Sequence, residues 1–306
     1  MRILFAGTPA SAATVLEGLL AAGHEVVSVL TREDSVLGRN RILTPSPVAE
    51  LALAKGLKTI KANKVDPETL DQIAHDKIDL AIVVAYGVIL REDALRAIPG
   101  GWFNVHFSLL PRWRGAAPVQ RALQAGDKET GVTLFKIEAG LDTGPILSTV
   151  PTMIQPDENA GELLVRLSQL AVTLLNAELP KIYSGTEILE EQVGSITLAS
   201  KTSREEARID FNLDAESISN LVRAMNPEPM AWCSLNAEPM RVLRARTISS
   251  VATEASIGQV GVVGDRVVVT CGNATALELL EVQPASRSAM AAKDWLNGQS
   301  VLVTLK

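Results

Sequence analysis

Two side chains capable of hydrogen bonding and acid–base chemistry stand two positions apart in a short strand-like segment. Asn104 and His106 lie in GWFNVHFSLLPRWRGAAP, which runs from residue 101 to 118. Residues i and i+2 of a strand point to the same side, so both side chains would project together where the strand ends. The Asn amide is a neutral N–H donor, and an imidazole with a pKa of about 6.5 donates, accepts or carries charge near neutral pH. The pair suits stabilisation of an oxyanion on a tetrahedral carbon, and its spacing is not that of metal ligands.

A third candidate, Asp142, lies downstream in GVTLFKIEAGLDTGPIL. Residues 131–138 have the pattern of a strand, and Gly140 and Gly144 favour bends on either side of the aspartate, so we expect a constrained loop. A carboxylate held there can orient an imidazole and pass protons. Spacing alone leaves a second interpretation open, in which His106 is a satisfied structural group and Asp142 forms a turn.

These residues belong to an alternating series of strands and helices. The predicted strands are RILFAG, EVVSVLT, DLAIVVA and WFNVH, and helices are predicted over residues 10–22, after Pro47, over REDALRAI and from Pro118. The alternation predicts an α/β fold with a mostly parallel sheet covered on both faces. Such sheets bind ligands at the carboxyl ends of their strands. Residues 157–182 then predict a long helix with Pro180 near its end.

The pattern changes after Ser184-Gly185. A polar connector leads into short strand-like segments separated by Gly and Asn, a rhythm typical of a small β-barrel. These segments are RVLRARTI, GQVGVVG, RVVVTCG and TALELLEVQ. We therefore predict a first domain over residues 1–188, a linker over 189–202 and a barrel domain over 203–306.

Composition excludes several functional classes. The chain has 306 residues and a net charge of −6, which argues against a globally basic nucleic-acid coat but permits a local basic patch. No apolar stretch approaches the roughly 20 residues needed to span a bilayer. Cys233 and Cys271 form no CxxC pair, which suits a reducing cytoplasm and predicts two small buried side chains. His24 and His75 lie beside predicted helix ends, and we expect both to be exposed.

Together, the motifs resemble those of the formyltetrahydrofolate-dependent formyltransferases. The resemblance rests on NVH at residues 104–106, SLLP at 108–111, RWRGAAP up to Pro118 and GLDTGPI from Gly140. ILFAGTP, GRNRILTPSPV, SREEARIDF and LVRAMNP extend it along nearly the whole chain. The TPSPV loop and the C-terminal segment resemble in particular the members of the family that act on charged tRNA.

The resemblance implies a Rossmann-like catalytic domain followed by an OB-like β-barrel domain that helps to hold tRNA. It implies that 10-formyltetrahydrofolate donates its formyl group, without a metal, to the methionine amine of initiator methionyl-tRNA. Asn104, His106 and Asp142 match the family's catalytic trio, in which the first two hold the oxyanion and the third positions the imidazole. The residues that match its folate-binding loop are Ser108, Leu109, Leu110 and Pro111.

Contacts with tRNA are expected in two places. Arg39 matches the arginine of the family's loop that contacts the acceptor stem, and Arg41 adds positive charge beside it. In the C-terminal domain the segment RVLRAR, with Arg241, Arg244 and Arg246, is the strongest candidate for a basic face. We expect a monomeric protein in the cytoplasm, with no membrane partner.

Other readings of the sequence remain open. An enzyme of the same superfamily that formylates a glycinamide nucleotide or an amino sugar would share the trio, although the former needs little chain beyond residue 200. A non-catalytic nucleotide-binding regulator would also have an alternating sheet, but the first turn, GTPASA, lacks the G-x-G-x-x-G pattern. An RNA-binding protein with a decayed transferase domain would not be expected to keep all three polar groups.

Overall fold

The structure, a computed structural model, describes residues 1–37, 41–248, 255–299 and 302–306. The chain divides into two compact units. The first comprises Met1–Pro118, Glu129–Met153 and Leu164–Ala199. The second comprises Val119–Lys128, Ile154–Leu163 and Ser200–Lys306. The predicted boundaries at residues 188 and 203 stay a prediction.

Helices and strands mostly alternate along the first two hundred residues. In chain order they are β1 (Ile3–Gly7), α1 (Ala10–Ala21), β2 (Val26–Thr31), β3 (Ser35–Leu37), β4 (Ile42–Thr44), α2 (Pro47–Ala54), β5 (Lys58–Lys61), α3 (Pro67–His75), β6 (Leu80–Val84), α4 (Glu92–Arg96), β7 (Trp102–His106), β8 (Arg114–Gly115), α5 (Pro118–Gln124), β9 (Glu129–Lys136), β10 (Ile146–Met153), α6 (Ala160–Ser184) and β11 (Leu198–Ala199).

The first unit is built on a mostly parallel sheet, as predicted. Its strand order is β10-β9-β7-β6-β1-β2-β5. The five strands from β7 to β5 in this order are parallel, whereas β9 runs antiparallel to both β7 and β10. All residues of β1 and β6 are buried, which is why their sequences are continuous apolar runs. The strand order reverses at β1, where the next strand, β2, lies on one side and β6 lies on the other.

Helix starts follow ordinary capping chemistry. The hydroxyl of Ser46 accepts the amide of Ala49 at the start of α2, and the carboxylate of Asp66 accepts the amide of Thr69 at the start of α3. In both helices a proline occupies the first turn, where its missing N–H costs nothing.

In the second unit, the described residues from 200 onward form an antiparallel sheet with two helices. Its elements are α7 (Ala215–Met225), β12 (Trp232–Leu235), β13 (Glu238–Ile248), β14 (Val260–Val263), β15 (Arg266–Thr270), β16 (Ala276–Gln283), β17 (Met290–Ala291) and α8 (Ala292–Asn297). The strand order is β12-β13-β16-β15-β14, and β17 pairs with β16. Cys233 and Cys271 are buried in its apolar core, and burial raises the pKa of each thiol to about 12.

The edges of this sheet are joined by the segment 303–306. The amide of Val260 donates to the carbonyl of Val303, and the amide of Leu305 donates to the carbonyl of Gly258, next to β14. Lys306 exchanges backbone hydrogen bonds with Ser234 of β12. The two edge strands are therefore linked through one further strand-like segment, which agrees with the predicted barrel.

Candidate active site

His106 is the last residue of β7 and is buried, with 5% of its surface exposed. Its Nε2 lies 2.8 Å from the backbone oxygen of Trp113. A carbonyl oxygen only accepts, so this contact assigns the proton of the neutral imidazole to Nε2 and leaves Nδ1 as the acceptor. The ring of Phe135 packs edge-on against the imidazole with ring centres 6.4 Å apart. Strand and ring together fix the orientation of His106.

Asp142 faces the free nitrogen of this imidazole. Its Oδ2 lies 3.7 Å from Nδ1 of His106 and accepts the backbone N–H of Gly115 at 2.7 Å. Burial lowers the pKa of His106 from 6.5, while the charge of Asp142 and the hydrogen bond to Trp113 act in the opposite direction. Since burial is the largest of these effects, the imidazole is neutral at pH 7, and its Nδ1 is available to take a proton.

Two residues around His106 adopt left-handed backbone conformations. Trp113 has φ 65° and Asp142 has φ 50°, values that side-chain-bearing residues rarely adopt and that cost on the order of 1–3 kcal/mol each. Gly115 has φ 128°, and a Cβ there would lie 2.6 Å from the backbone oxygen of Ala199. The surrounding structure must therefore hold this loop in place.

Asn104 lies two residues before His106 on β7, beside Val83 of β6 and Phe135 of β9. Alternation along the strand puts its side chain on the same face as that of His106. The residue is half-buried, and within the part of the chain that the structure describes its amide makes no side-chain hydrogen bond. The amide is therefore free to donate to a ligand.

The predicted folate loop follows β7 directly. The hydroxyl of Ser108 donates to the carbonyl of Arg112 at 2.6 Å, and the hydroxyl of Thr133 donates to the carbonyl of Ser108 at 2.7 Å. The Leu110–Pro111 peptide bond is cis, and both residues are buried. Leu109 is half-buried and thus more exposed than the other three predicted residues. These bonds fix the shape of the loop, while its contact with folate stays a prediction.

Comparison with known proteins identifies the family of this chain. Residues 1–179 match the formyl transferase family, and residues 201–300 match the formyl transferase C-terminal domain. The chain belongs to the formyl transferase family.

Two bacterial relatives align with this formyl transferase along nearly their full length. It is 46% identical over 298 residues to the methionyl-tRNA formyltransferase of Renibacterium salmoninarum. This alignment covers 97% of this chain and 96% of the relative. It is 44% identical over 302 residues to that of Arthrobacter sp. (strain FB24), covering 99% and 98%.

A solved structure has the same fold. The N-formyltransferase from Helicobacter canadensis, in complex with folinic acid and dTDP-3-aminofucose, is 18% identical to this formyl transferase. The likeness has a TM-score of 0.65 and covers 93% of this chain and 99% of that chain.

The described arginines among those predicted to contact tRNA differ in their hydrogen-bond and ion-pair partners. Arg39 lies outside the described residues, whereas Arg41 is exposed at the turn before β4 and has φ 51°. On β13, Arg244 pairs with Glu162, and Arg246 lies 2.9 Å from Glu278. Arg241 donates to the side chain of Gln283. The expectation of a basic face on RVLRAR is therefore weakened, because carboxylates neutralise two of its charges.

Of the predictions for the other two histidines, one is confirmed and one is wrong. His75 is exposed as predicted, with 87% of its side chain accessible. The prediction for His24 was wrong, because its ring nitrogens bond to the hydroxyl of Tyr183 and the side-chain oxygen of Asn176, and the residue is half-buried. Its partners are more than 150 positions away in sequence, so no local pattern signals them.

A cavity of about 470 Å³ lies at the carboxyl ends of β1, β2 and β6 in this formyl transferase. This is the edge where the strand order reverses and where open α/β sheets bind ligands. The trio does not line it. The lining residues are Thr8, Pro9, Arg32, Glu33, Asp34, Ser35, Pro45, Ser46, Pro47, Asn63, Ala85, Tyr86 and Gly87.

Sequence reasoning did not identify several groups that position His106, Asp142 and the folate loop. The carbonyl of Trp113, the N–H of Gly115 and the hydroxyl of Thr133 position His106, Asp142 and the folate loop. Two of these are backbone atoms, which any residue possesses. Gly115 alone leaves a sequence signal, since a glycine within RWRGAAP suggests a close backbone approach. No helix of the described residues is long and apolar enough to cross a membrane.

Proposed function

We propose that this chain transfers the formyl group of 10-formyltetrahydrofolate to the α-amino group of methionine on initiator methionyl-tRNA. The observation that carries this proposal is the likeness to methionyl-tRNA formyltransferases at 44–46% identity, which spans both units of the chain. The neutral imidazole of His106 with Asp142 at 3.7 Å provides chemistry suited to the reaction.

Asn104, His106 and Asp142 carry the transfer in this proposal. An α-amino group has a pKa of about 7.7 to 8.0, and a neighbouring ester lowers it, so much of the nucleophile is neutral at physiological pH. The amine nitrogen attacks the formyl carbon, and the carbonyl electron pair moves onto oxygen. The amide of Asn104 donates to this oxyanion, a contact worth about 3 to 4 kcal/mol in comparable sites.

Proton movement is assigned to His106. Its Nδ1 takes a proton from the attacking amine, and Asp142 stabilises the imidazolium so formed. Once charged, Nδ1–H can donate to the oxyanion, so that donation by His106 follows proton uptake rather than preceding it. The same proton then passes to the departing folate nitrogen as its bond to the formyl carbon breaks. The products are the formylated amine and tetrahydrofolate, with no covalent enzyme intermediate.

Ser108, Leu109, Leu110 and Pro111 are proposed to shape the folate pocket. We further propose that residues 1–188 carry the transfer and residues 203–306 bind tRNA, with Arg39 and Arg41 at the acceptor stem. Because a charged tRNA is the proposed acceptor, the cytoplasm is the expected compartment. We also propose that the protein is a monomer.

The test is an acceptor assay. The protein is incubated with 10-formyltetrahydrofolate and, in separate reactions, with initiator methionyl-tRNA or an amino-sugar nucleotide. We expect formyl-methionine on the tRNA and no formylated sugar. Formylation of the sugar alone would overturn the assignment of the acceptor, and transfer to neither would overturn the proposed function.

A further inference from the structure

The segment 192–199, predicted to lie within a linker, is bonded to the active-site loop. Its β11 pairs in parallel with β8, so that Leu198 lies opposite Arg114 and Ala199 opposite Gly115. The amide of Trp113 donates to the hydroxyl of Thr197 at 2.8 Å, and the amide of Arg114 donates to its carbonyl at 2.9 Å. The residues that contact His106 and Asp142 are thus held from a distant part of the same unit.

Within this segment, the side chain of Gln192 makes four hydrogen bonds to the two loops. Its side-chain oxygen accepts from Nε and Nη2 of Arg114 at 3.1 and 2.6 Å. Its amide donates to the carbonyl oxygens of Asp142 and Gly144 at 2.8 and 2.9 Å. A carboxamide has two donor hydrogens and two acceptor sites, and all four are used here. One side chain therefore ties the loop of Asp142 to the loop that contacts His106.

We propose that Gln192 is a positioning residue for formyl transfer, which holds the carboxylate of Asp142 against Nδ1 of His106. The inference rests on the proposed function, because it assigns Gln192 to the same reacting site. Asp142 has a left-handed backbone conformation, which carries an energetic cost, and the bonds from Gln192 to the carbonyl oxygens of Asp142 and Gly144 help to hold it. Misplacing a reacting group by about 1 Å can lower a rate by about 10².

The first arm of the test is kinetic. Gln192→Met keeps the length and volume of the side chain but removes its four hydrogen bonds. We expect kcat for formylation to fall roughly 10- to 100-fold, with KM for 10-formyltetrahydrofolate changed less than about twofold. The matched control is Val193→Ala, because Val193 is the next residue and is 88% exposed, and its activity should equal that of the wild type. An unchanged kcat in folded Gln192→Met would overturn the proposal.

The second arm measures His106 directly by NMR. The chain has three histidines, so the signal that disappears in His106→Gln identifies its imidazole. The charge of Asp142 raises the pKa of His106, so displacing the carboxylate should move the titration of His106 to lower pH. In Gln192→Met, Arg114 also loses the side-chain oxygen that accepts its hydrogen bonds. If its guanidinium moved towards the imidazole of His106, that positive charge would also lower the pKa of His106. Arg112, the other charged side chain on this loop, lies over the ring of Trp113.

Asp142→Asn provides the reference for the full loss of the carboxylate charge. In Gln192→Met, a downward shift of His106 with His24 and His75 unmoved supports the proposal, whereas a titration identical to wild type contradicts it. Circular dichroism verifies folding, and if Gln192→Met is unfolded, Gln192→Asn, which keeps the carboxamide but is one methylene shorter, carries the same two measurements. This arm needs no acceptor. A wild-type protein that fails to formylate methionyl-tRNA would therefore refute the proposed function, while the NMR shift still decides whether Gln192 positions Asp142.

Discussion

At the scale of single residues, sequence identified the chemistry, and the structure supplied its partners. The spacing of Asn104 and His106 predicted a shared strand face, and Asp142 was expected to orient the imidazole. The structure instead gives the orienting hydrogen bond to the carbonyl of Trp113 and leaves Asp142 facing Nδ1. No side-chain pattern encodes a backbone carbonyl, so the tautomer of His106 was beyond sequence reasoning. Gln192 was missed because it lies 50 positions from Asp142.

Removal of the imidazole should nearly abolish transfer. In His106→Ala the protein loses the group that accepts the amine proton and, once charged, donates to the oxyanion. We expect a fall in turnover of about 10² to 10⁴ with folding intact. Single-turnover formylation measures the chemical step, and a near-wild-type rate in a folded variant would refute the assignment.

Asp142→Asn isolates the charge of the carboxylate. The amide keeps an oxygen that can accept the N–H of Gly115, but the imidazolium of His106 loses its counter-charge. We expect turnover to fall by about 10² or more with folate affinity little changed. Fluorescence titration with folate alongside the rate assay separates the two quantities. Equal activity of the two proteins would remove Asp142 from the reaction.

Stability should depend on pH through His106. Its folded pKa is lowered from 6.5, so below about pH 6.5 the unfolded chain binds a proton that the folded chain resists. The free energy of unfolding should therefore fall as pH falls through this window. His106→Gln should remove that part of the dependence, which urea unfolding at pH 7.5 and 5.5 would detect. Parallel losses in both proteins would contradict the assigned direction.

At the scale of elements, strong apolar runs were predicted well and short elements were not. The runs that became β1, β2, β6 and β7 were long and apolar enough to identify from sequence. β5 was overlooked, and α3 was expected only as a helix end near His75, although Asp66-Pro67 carries an ordinary helix-start signal. β11 has two residues, and its pairing with β8 joins positions 84 apart. A segment so short carries no periodicity, which is why it was taken for a linker.

The hairpin between β12 and β13 offers a stability test. Asn236 and Ala237 both have positive φ, at 52° and 69°, as in a two-residue turn that favours Gly at its second position. Because Ala237 is exposed, Ala237→Gly should relieve strain without losing packing and stabilise the second unit by about 0.5 to 1 kcal/mol. Denaturant unfolding measures the change. Ala74→Gly, at an exposed position in α3, is the control of opposite sign and should destabilise by about 1 kcal/mol.

At the scale of the whole molecule, alternation and strand rhythm predicted the fold class correctly, namely a mostly parallel sheet followed by an antiparallel β domain. Charge distribution was harder to predict. The chain is acidic, with a net charge of −6, so binding of tRNA requires cations that are not already paired. Linear sequence placed Arg244 and Arg246 close together but did not reveal Glu162 and Glu278 beside them.

Because Arg41 is exposed and Arg246 is paired with Glu278, we expect their removal to weaken tRNA binding to different extents. Arg41 is exposed, so Arg41→Ala should weaken use of methionyl-tRNA severalfold and reduce the salt slope by about 0.9 in log affinity per log salt. Arg246→Ala should have a smaller effect because Glu278 already neutralises Arg246. Binding of tRNA at two salt concentrations compares the variants. A larger loss for Arg246→Ala would show that the barrel presents this arginine to tRNA after all.

Burial of both cysteines has a practical consequence for labelling. Cys233 and Cys271 are enclosed in an apolar core, and their thiols stay protonated at neutral pH because their pKa is about 12. Maleimide reagents attack thiolates that solvent can reach. A cysteine introduced at exposed Val193 would therefore take a fluorophore selectively without prior removal of the native thiols. A probe at that position, next to Gln192, would report whether the segment moves during turnover.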